Sequence, residues 1–419
     1  MIELIEKIEG EAKLDFSFKD EKIDFVGIEF MTARNIENIL KGKSALDALV
    51  INPRVCGICG HAHLIATVEA LEDCYEDIEI SNKAKIIREL TLTFELIQNH
   101  FKWFYLTMRP LFGKKQEVLK ATYPSQLMAK AIAVFGGQYP HTSYAIVGGV
   151  VCDVTEMDII KVKHYMQECI KFFETNVVQA DTKDFLVCDS VEKVLKRSGD
   201  LPDILKDIKD KDYLQYGKSY DRFIAFGQNS YFKKGKSLKT NATYNVSLDY
   251  IKEQKNLNSL AKNVTYKNKY YEVGPLSRAM INKIPLVKDA HRRYSDNIFS
   301  RIVARVCEIP QLLNHSMELL EQLDISEASY IEPSADISTI SASGQSAVEA
   351  ARGSLVHKVE IQKGIIKNYE IITPTQWNLA NGTKDNLGVS QKAMVGLKET
   401  QTAQLVFKTF DVCSVCTTH

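Results

Sequence analysis

At 419 residues the chain is long enough for one large core or for two to three domains. Hydrophobic residues make up 45% and charged residues 25%, with 21 Gly and 10 Pro, which excludes a disordered or fibrous chain. Lys plus Arg and Asp plus Glu balance at 53 each, so no net field favours nucleic acid or an anionic membrane surface, and a near-neutral surface suits a chain partly covered by a partner.

The opening MIELIEKIEGEAKLDF carries acids and no long apolar run, so no secretory signal is expected. Leu14, Phe16 and Phe18 alternate, and Ile23 and Phe25 follow the polar break KDEK, which predicts a hairpin with one buried face. From Ile87, the series Leu90, Phe94, Ile97, Phe101, Phe104 steps by three and four and predicts a long helix. A further helix is expected around 125–135. Ile159, Val162, Met166, Ile170 and Phe173 predict another, and so do Ile298, Ile302, Val306, Ile309 and Leu313.

Between about 190 and 270 the chain is polar and Lys/Asn-rich, the pattern of a peripheral lobe with small strands. SLVHKVEIQKGIIKNYEIITP alternates on both sides of QKG and predicts a second hairpin ending at Pro374. The expected fold class is α+β, mainly helical, with a long-helix bundle core and small peripheral antiparallel β hairpins at both ends of the chain. Within one fold over 1–419, the sub-regions are an N-terminal hairpin and helix (1–55), a helical bundle core (56–185 and 290–325), a peripheral α/β lobe (186–289) and a C-terminal hairpin with a metal-binding tail (326–419). No stretch approaches the roughly 18 apolar residues of a membrane span.

Nine cysteines without an export signal point to reduced thiols or metal ligands. Cys74, Cys152, Cys169, Cys188 and Cys307 stand alone in apolar surroundings and read as small buried hydrophobes. The others form two Cys-x-x-Cys pairs, Cys56 and Cys59 in RVCGICGHAH and Cys413 and Cys416 in DVCSVCTTH. Four sulfurs would fit structural zinc or an iron–sulfur cluster. The roughly 350 residues between the pairs are far more than a zinc ribbon spans, and two unrelated pairs, one a redox dithiol, are the bland alternative.

With their flanking segments the pairs carry a resemblance. KIEG at 7–10, ARNIE at 33–37, RVCGIC followed by His63, FGGQYPH and VGGV, YEVGPLSR at 271–278, EAARG, NYEIITPTQWN and DVCSVCTTH stand in one order along the chain. In that order the chain resembles the large, catalytic subunit of [NiFe]-hydrogenases, nearly end to end. The resemblance implies a Ni-Fe centre in which nickel is held by all four thiolates, while iron shares two of them and carries CO and cyanide ligands. Cys56 and Cys413 would be terminal nickel ligands, and Cys59 and Cys416 would bridge to iron; soft thiolates suit such metals. It also implies a magnesium or similar ion at Glu37 and His419, with the carbonyl of Ile371, tying the chain's two ends together. The resemblance further implies a mature end at His419, reached by release of an extension by a maturation endopeptidase or, as in some members, with no extension made.

The implied activity is the reversible heterolytic cleavage of H2, with uptake favoured; an H2-sensing enzyme with slow turnover is the alternative. Cys413 would take the proton on sulfur and Glu9 would relay it toward solvent. Arg352 would position H2 electrostatically, since arginine is not neutral in proteins, and Asp411 would orient Arg352. His63 would donate a hydrogen bond to a bridging sulfur. Ala351 and Val412 stand where the family usually has proline, and Asn99 where many members have Asp. Ile58 is bulkier than the family's frequent valine. With no cluster-binding cysteines left over, an iron–sulfur small subunit is the expected partner, contacted near GGQYPHTSY and His141. The expected location is cytoplasmic, with a periplasmic or membrane-associated enzyme, carried by the small subunit, as the alternative.

Overall fold

The computed structural model describes residues 2–7, 10–31, 33–237, 242–256 and 259–413. Among the expected site residues, Glu9, Cys416 and His419 lie outside them.

Five helices build the centre: α1 (Gly60–Glu72), α2 (Asn82–Lys102), α3 (Val118–Gly136), α4 (Glu156–Phe172) and α5 (Ile298–Gln322). Three of their starts, those of α2, α4 and α5, carry the side-chain caps that helix termini need, because the first N–H groups have no partner within the helix. The Ser81 hydroxyl accepts from Ala84 N at α2, Thr155 and Asp158 form a capping box at α4, and the Asn297 side chain accepts from Ser300 N at α5. Leu90, Phe94, Ile97 and Phe101, the stripe read from the sequence, are all fully buried on α2. That helix packs on α1, α3 and α5, and α4 closes the bundle against α3 and α5.

Two three-stranded antiparallel sheets flank the helices. β1 (Ile2–Lys7), β2 (Gly10–Lys19) and β3 (Lys22–Phe30) pair in chain order. The expected hairpin is β2–β3, turning at Asp20 and Glu21, both with positive φ; β1 is an additional strand. The second sheet comprises β4 (Ala342–Ala350), β5 (Gly353–Gln362) and β6 (Ile365–Ile372). The expected hairpin is β5–β6, and Lys363 and Gly364 both take the left-handed conformation that a two-residue turn between twisted strands requires. Pro374 begins a short helix, Pro374–Asn378. β4 pairs Ala350 with Gly353, so residues 351 and 352 form the tip of the β4–β5 hairpin.

The stretch expected as a peripheral lobe also forms a wall of the bundle, since Leu201, Ile204, Leu205 and Ile208 of the Asp200–Asp210 helix join the main core. A smaller core of Ile224, Phe226, Val264, Tyr266 and Trp377 fastens its short strands to Val356 of β5 and Ile372 of β6. Cys74, Cys169, Cys188 and Cys307 are buried and Cys152 is half-buried. Burial pushes the thiols of Cys74 and Cys152 up to about 11, which leaves them inert as nucleophiles near neutral pH.

Candidate metal centre

The Sγ atoms of Cys56, Cys59 and Cys413 all lie within 4.8 Å of one another, and all three residues are buried. Cys56 and Cys413, 357 positions apart, are separated by 3.8 Å at sulfur. Cys59 is the residue from which α1 starts. The turn before it lies so close to residues 52–54 that a Cβ on Gly60 would sit 2.2 Å from the carbonyl oxygen of Pro53, so only glycine fits there. Ile58 N points at the Cys56 sulfur, 3.4 Å away, a contact that favours the thiolate. α2 grips the same turn from outside. Asn99 Nδ2 donates to Ile58 O (3.1 Å), and the Glu95 carboxylate accepts from His61 N (2.9 Å) and Ala62 N (3.0 Å). Burial pushes Glu95 up to about 8, against the pull of those two amides, and the neighbouring Cys56 adds to the rise.

On the opposite side, Arg352 reaches in from the β4–β5 tip. Its Nε lies 3.1 Å from both the carbonyl and a carboxylate oxygen of Asp411, and its buried Nη1 has no hydrogen-bond partner among the described residues. Burial opposes its charge. The Asp411 carboxylate and the sulfurs of Cys413, Cys59 and Cys56 outweigh that cost and hold its pKa well above the usual arginine value, so the group is a fixed cation and not a base. Asp411 adopts a left-handed conformation (φ 56°) and also accepts from Arg305 Nη1 at 2.5 Å. Arg305 in turn lies over the Trp103 ring, 4.6 Å from its centroid.

Arg352 is held from behind by the YEVGPLSR segment. Arg278 donates to Ala350 O (2.8 Å) and Ala351 O (3.3 Å) while pairing with Glu308 and Glu349. Gly274, at φ 111°, leaves room for the Arg352 carbonyl, which a Cβ there would meet at 2.7 Å. Glu308 also lies 2.7 Å from His100 Nε2. Burial alone would raise Glu308, but Arg278 and His100 hold it down at about 2, and burial lowers His100 to about 4.

His63 is buried, with Nδ1 3.0 Å from His357 Nε2; the His357 Nδ1 meets Tyr369 OH at 2.8 Å. The pair ties α1 to β5 and β6. Glu37 stands apart from the sulfurs' own contacts: its Oε1 accepts from the amide of Ile371 (2.9 Å), and Lys262 Nζ approaches both carboxylate oxygens at 3.1 and 3.0 Å. Gly57, Gln138, Pro140 and His141 are exposed, so solvent comes within a residue of Cys56.

Sequence reasoning assigned no role to Arg305, Arg278, Glu308, His100, Glu95 or Lys262. One signal was available: Arg301, Arg305 and Glu308 recur at helical spacing in the otherwise apolar run RIVARVCEIP, as Glu95, Gln98 and Asn99 do in FELIQNH. Three convergent soft donors with a fixed cation beside them suit nickel or low-spin iron better than a hard ion.

Comparison with protein families matches the chain to "Nickel-dependent hydrogenase" over residues 34–109 and 222–419. The chain belongs to the nickel-dependent hydrogenase family. This hydrogenase chain is therefore an oxidoreductase acting on H2, and its three gathered thiols lie within the matched segments. It is 24% identical to sulfhydrogenase 1 subunit alpha of Pyrococcus furiosus, covering 100% of this chain and 97% of that one. It is also 24% identical to the periplasmic [NiFeSe] hydrogenase large subunit of Desulfomicrobium baculatum, with 94% and 89% covered. The Ni-Fe-Se hydrogenase of Desulfovibrio vulgaris Hildenborough in its reduced state superimposes with a TM-score of 0.85 over 100% of both chains at 20% identity, which supports the mainly helical α+β fold. No described helix is long and apolar enough to cross a membrane.

Proposed function

We propose that this hydrogenase subunit works in the direction of H2 uptake, passing electrons to an iron–sulfur small subunit. The observation that carries the reading is the convergence of Cys56, Cys59 and Cys413 beside Arg352, whose Nη1 has no hydrogen-bond partner among the described residues. Cys56, Cys59, Cys413 and Cys416 would hold a Ni-Fe centre with CO and cyanide on iron, which would supply electron-rich metals able to polarise H2 and accept its two electrons, leaving its protons to the chain. The chain's own residues do the rest. Cys413 accepts the proton on sulfur, and Glu9 carries it toward solvent. Arg352, fixed as a cation by Asp411, orients H2 and stabilises the negative charge that develops as the bond polarises. From its anchored position on His357, His63 would tune one of the cysteine sulfurs.

Gly57, Gln138, Pro140 and His141 are all exposed, and Tyr139, between two of them, reaches Glu95, the acceptor of the amides just after Cys59, which supports a partner covering this side and receiving electrons there. A magnesium-like ion would be held by Glu37, the Ile371 carbonyl and His419. A carboxylate and a carbonyl are the oxygen donors a hard cation needs, and the Glu37–Ile371 hydrogen bond already brings these two residues together, although Lys262 would then share the carboxylate with the ion.

The test is elemental and infrared analysis of purified protein, followed by H2-dependent reduction of an artificial dye. Nickel and iron with bands of bound CO and cyanide are expected, and dye reduction should run faster than proton reduction. Zinc in place of nickel would sink the centre. Turnover far slower than in other hydrogenases, with the centre intact, would replace uptake with sensing.

A further inference from the structure

One face of α2 carries Glu95, Gln98, Asn99 and Lys102, spaced so that the four side chains are neighbours on the helix surface. Glu95 is fully buried. Among the described residues its hydrogen-bond partners are His61 N, Ala62 N and, at 3.4 Å, the hydroxyl of Tyr139. No arginine or lysine pairs with it there. A buried carboxyl group without a cation is costly, so its placement calls for a physical reason.

The reason lies at the start of α1. His61 and Ala62 are the second and third residues of that helix, and their N–H groups have no acceptor inside it. A Ser, Thr or Asp at the preceding position would normally cap them. Here that position is Cys59, which makes no side-chain cap; a sulfur engaged with metal has no capping role to spare. Glu95 supplies both missing acceptors from another helix. One turn further along α2, Asn99 donates to Ile58 O, so the same helix holds the turn on either side of Cys59. The Tyr139 hydroxyl links this clamp to the exposed GGQYPH loop.

The geometry points to Glu95 as a positioning residue that fixes the orientation of Cys59, and through the turn that of Cys56, toward Cys413. This inference rests on the proposed function, because it takes these sulfurs as the ligands of the metal centre. It does not make Glu95 a catalytic residue.

The test compares the purified holoenzyme with Glu95→Gln, Glu95→Ala and Leu90→Ala, the last removing a buried side chain from the same helix, more than one helical turn before Glu95. Gln has the shape of Glu but sets an amide NH2 against one of the two N–H groups. Expected are shifted infrared bands of the metal-bound CO and cyanide in Glu95→Gln, with H2-dependent dye reduction falling about 10-fold, and a fall of about 100-fold in Glu95→Ala, the scale on which a small misplacement of reacting groups acts. Leu90→Ala should lower the thermal midpoint and leave the bands in place. Unmoved bands in Glu95→Gln, or bands displaced as far in Leu90→Ala, would overturn the assignment while leaving the proposed function standing. Wild-type protein without nickel or the bands would overturn both. Should Glu95→Ala not fold, Glu95→Gln against Leu90→Ala carries the same comparison.

Discussion

The two sides of the sulfur cluster are held by different forces. Cys56 and Cys59 sit in a turn clamped by backbone amides and carbonyls, through Glu95, Asn99 and the close contact of Gly60 with Pro53. Cys413 lies beyond the end of the Thr400–Thr409 helix in a segment with no regular structure, and its anchor is Asp411, clasped by Arg305 and Arg352. A turn between two helices can be fixed by many weak neutral bonds. A stretch outside any helix or strand is fixed by fewer and stronger ones, and buried ion pairs provide them because breaking one leaves a charge stranded in the interior.

The sharpest way to break this contrast is Asp411→Ala. It leaves two buried guanidinium groups without their shared carboxylate and should cost about 3–5 kcal/mol, read as a lower urea midpoint at constant m-value. A midpoint within error of wild type would mean that the segment is anchored by something else. The second test uses pH. His100 is held neutral in the fold, lowered to about 4, so the unfolded chain binds its proton first, and stability drains away as pH falls below about 6.5; Glu308, held at about 2, adds a loss that starts near pH 4.5 and deepens toward 2. At pH 5 the histidine contribution is about 2 kcal/mol. His100→Gln should therefore flatten the stability profile between pH 6.5 and 4.5 and leave the steeper acid limb. An unchanged slope would show that His100 titrates alike in both states.

Smaller still, Asn99→Ala removes the donor to Ile58 O and should cost roughly 1–2 kcal/mol, visible in the thermal midpoint and smaller than the Asp411 effect if the neutral clamp is spread over several bonds. At the bottom of the scale, the surface pair Lys384–Asp24 can be broken by Lys384→Ala with no measurable change in midpoint. A large effect there would undo the distinction between buried and exposed pairs.

The long helices were legible because an apolar residue every three or four positions has few other readings, and the hairpins β2–β3 and β5–β6 because alternation met turn residues. β4 was hidden: SASGQSAVEA is small and polar, and only pairing with β5 makes it a strand. Spacing announced two cysteine pairs, but nothing local says that residues 357 positions apart will meet; their convergence was legible only through resemblance to a family. Arg352 and Asp411 were found the same way. Arg305, Arg278 and Glu95 escaped because a charge in an amphipathic helix reads as its wet face until the partner is known, and those partners, Asp411, Glu308 and the amides of His61 and Ala62, come from distant parts of the chain. The compartment was not legible either, since the relative from Desulfomicrobium baculatum is periplasmic.

The clasp on Asp411 joins separate stretches of the chain. Arg305 and Arg352 both hold its carboxylate, and Arg352 also donates to its carbonyl, so a helix of the bundle and a hairpin tip meet at one acid two residues ahead of Cys413. One carboxylate is thus the keystone of two walls, and a disturbance in either is passed to the sulfur beside it.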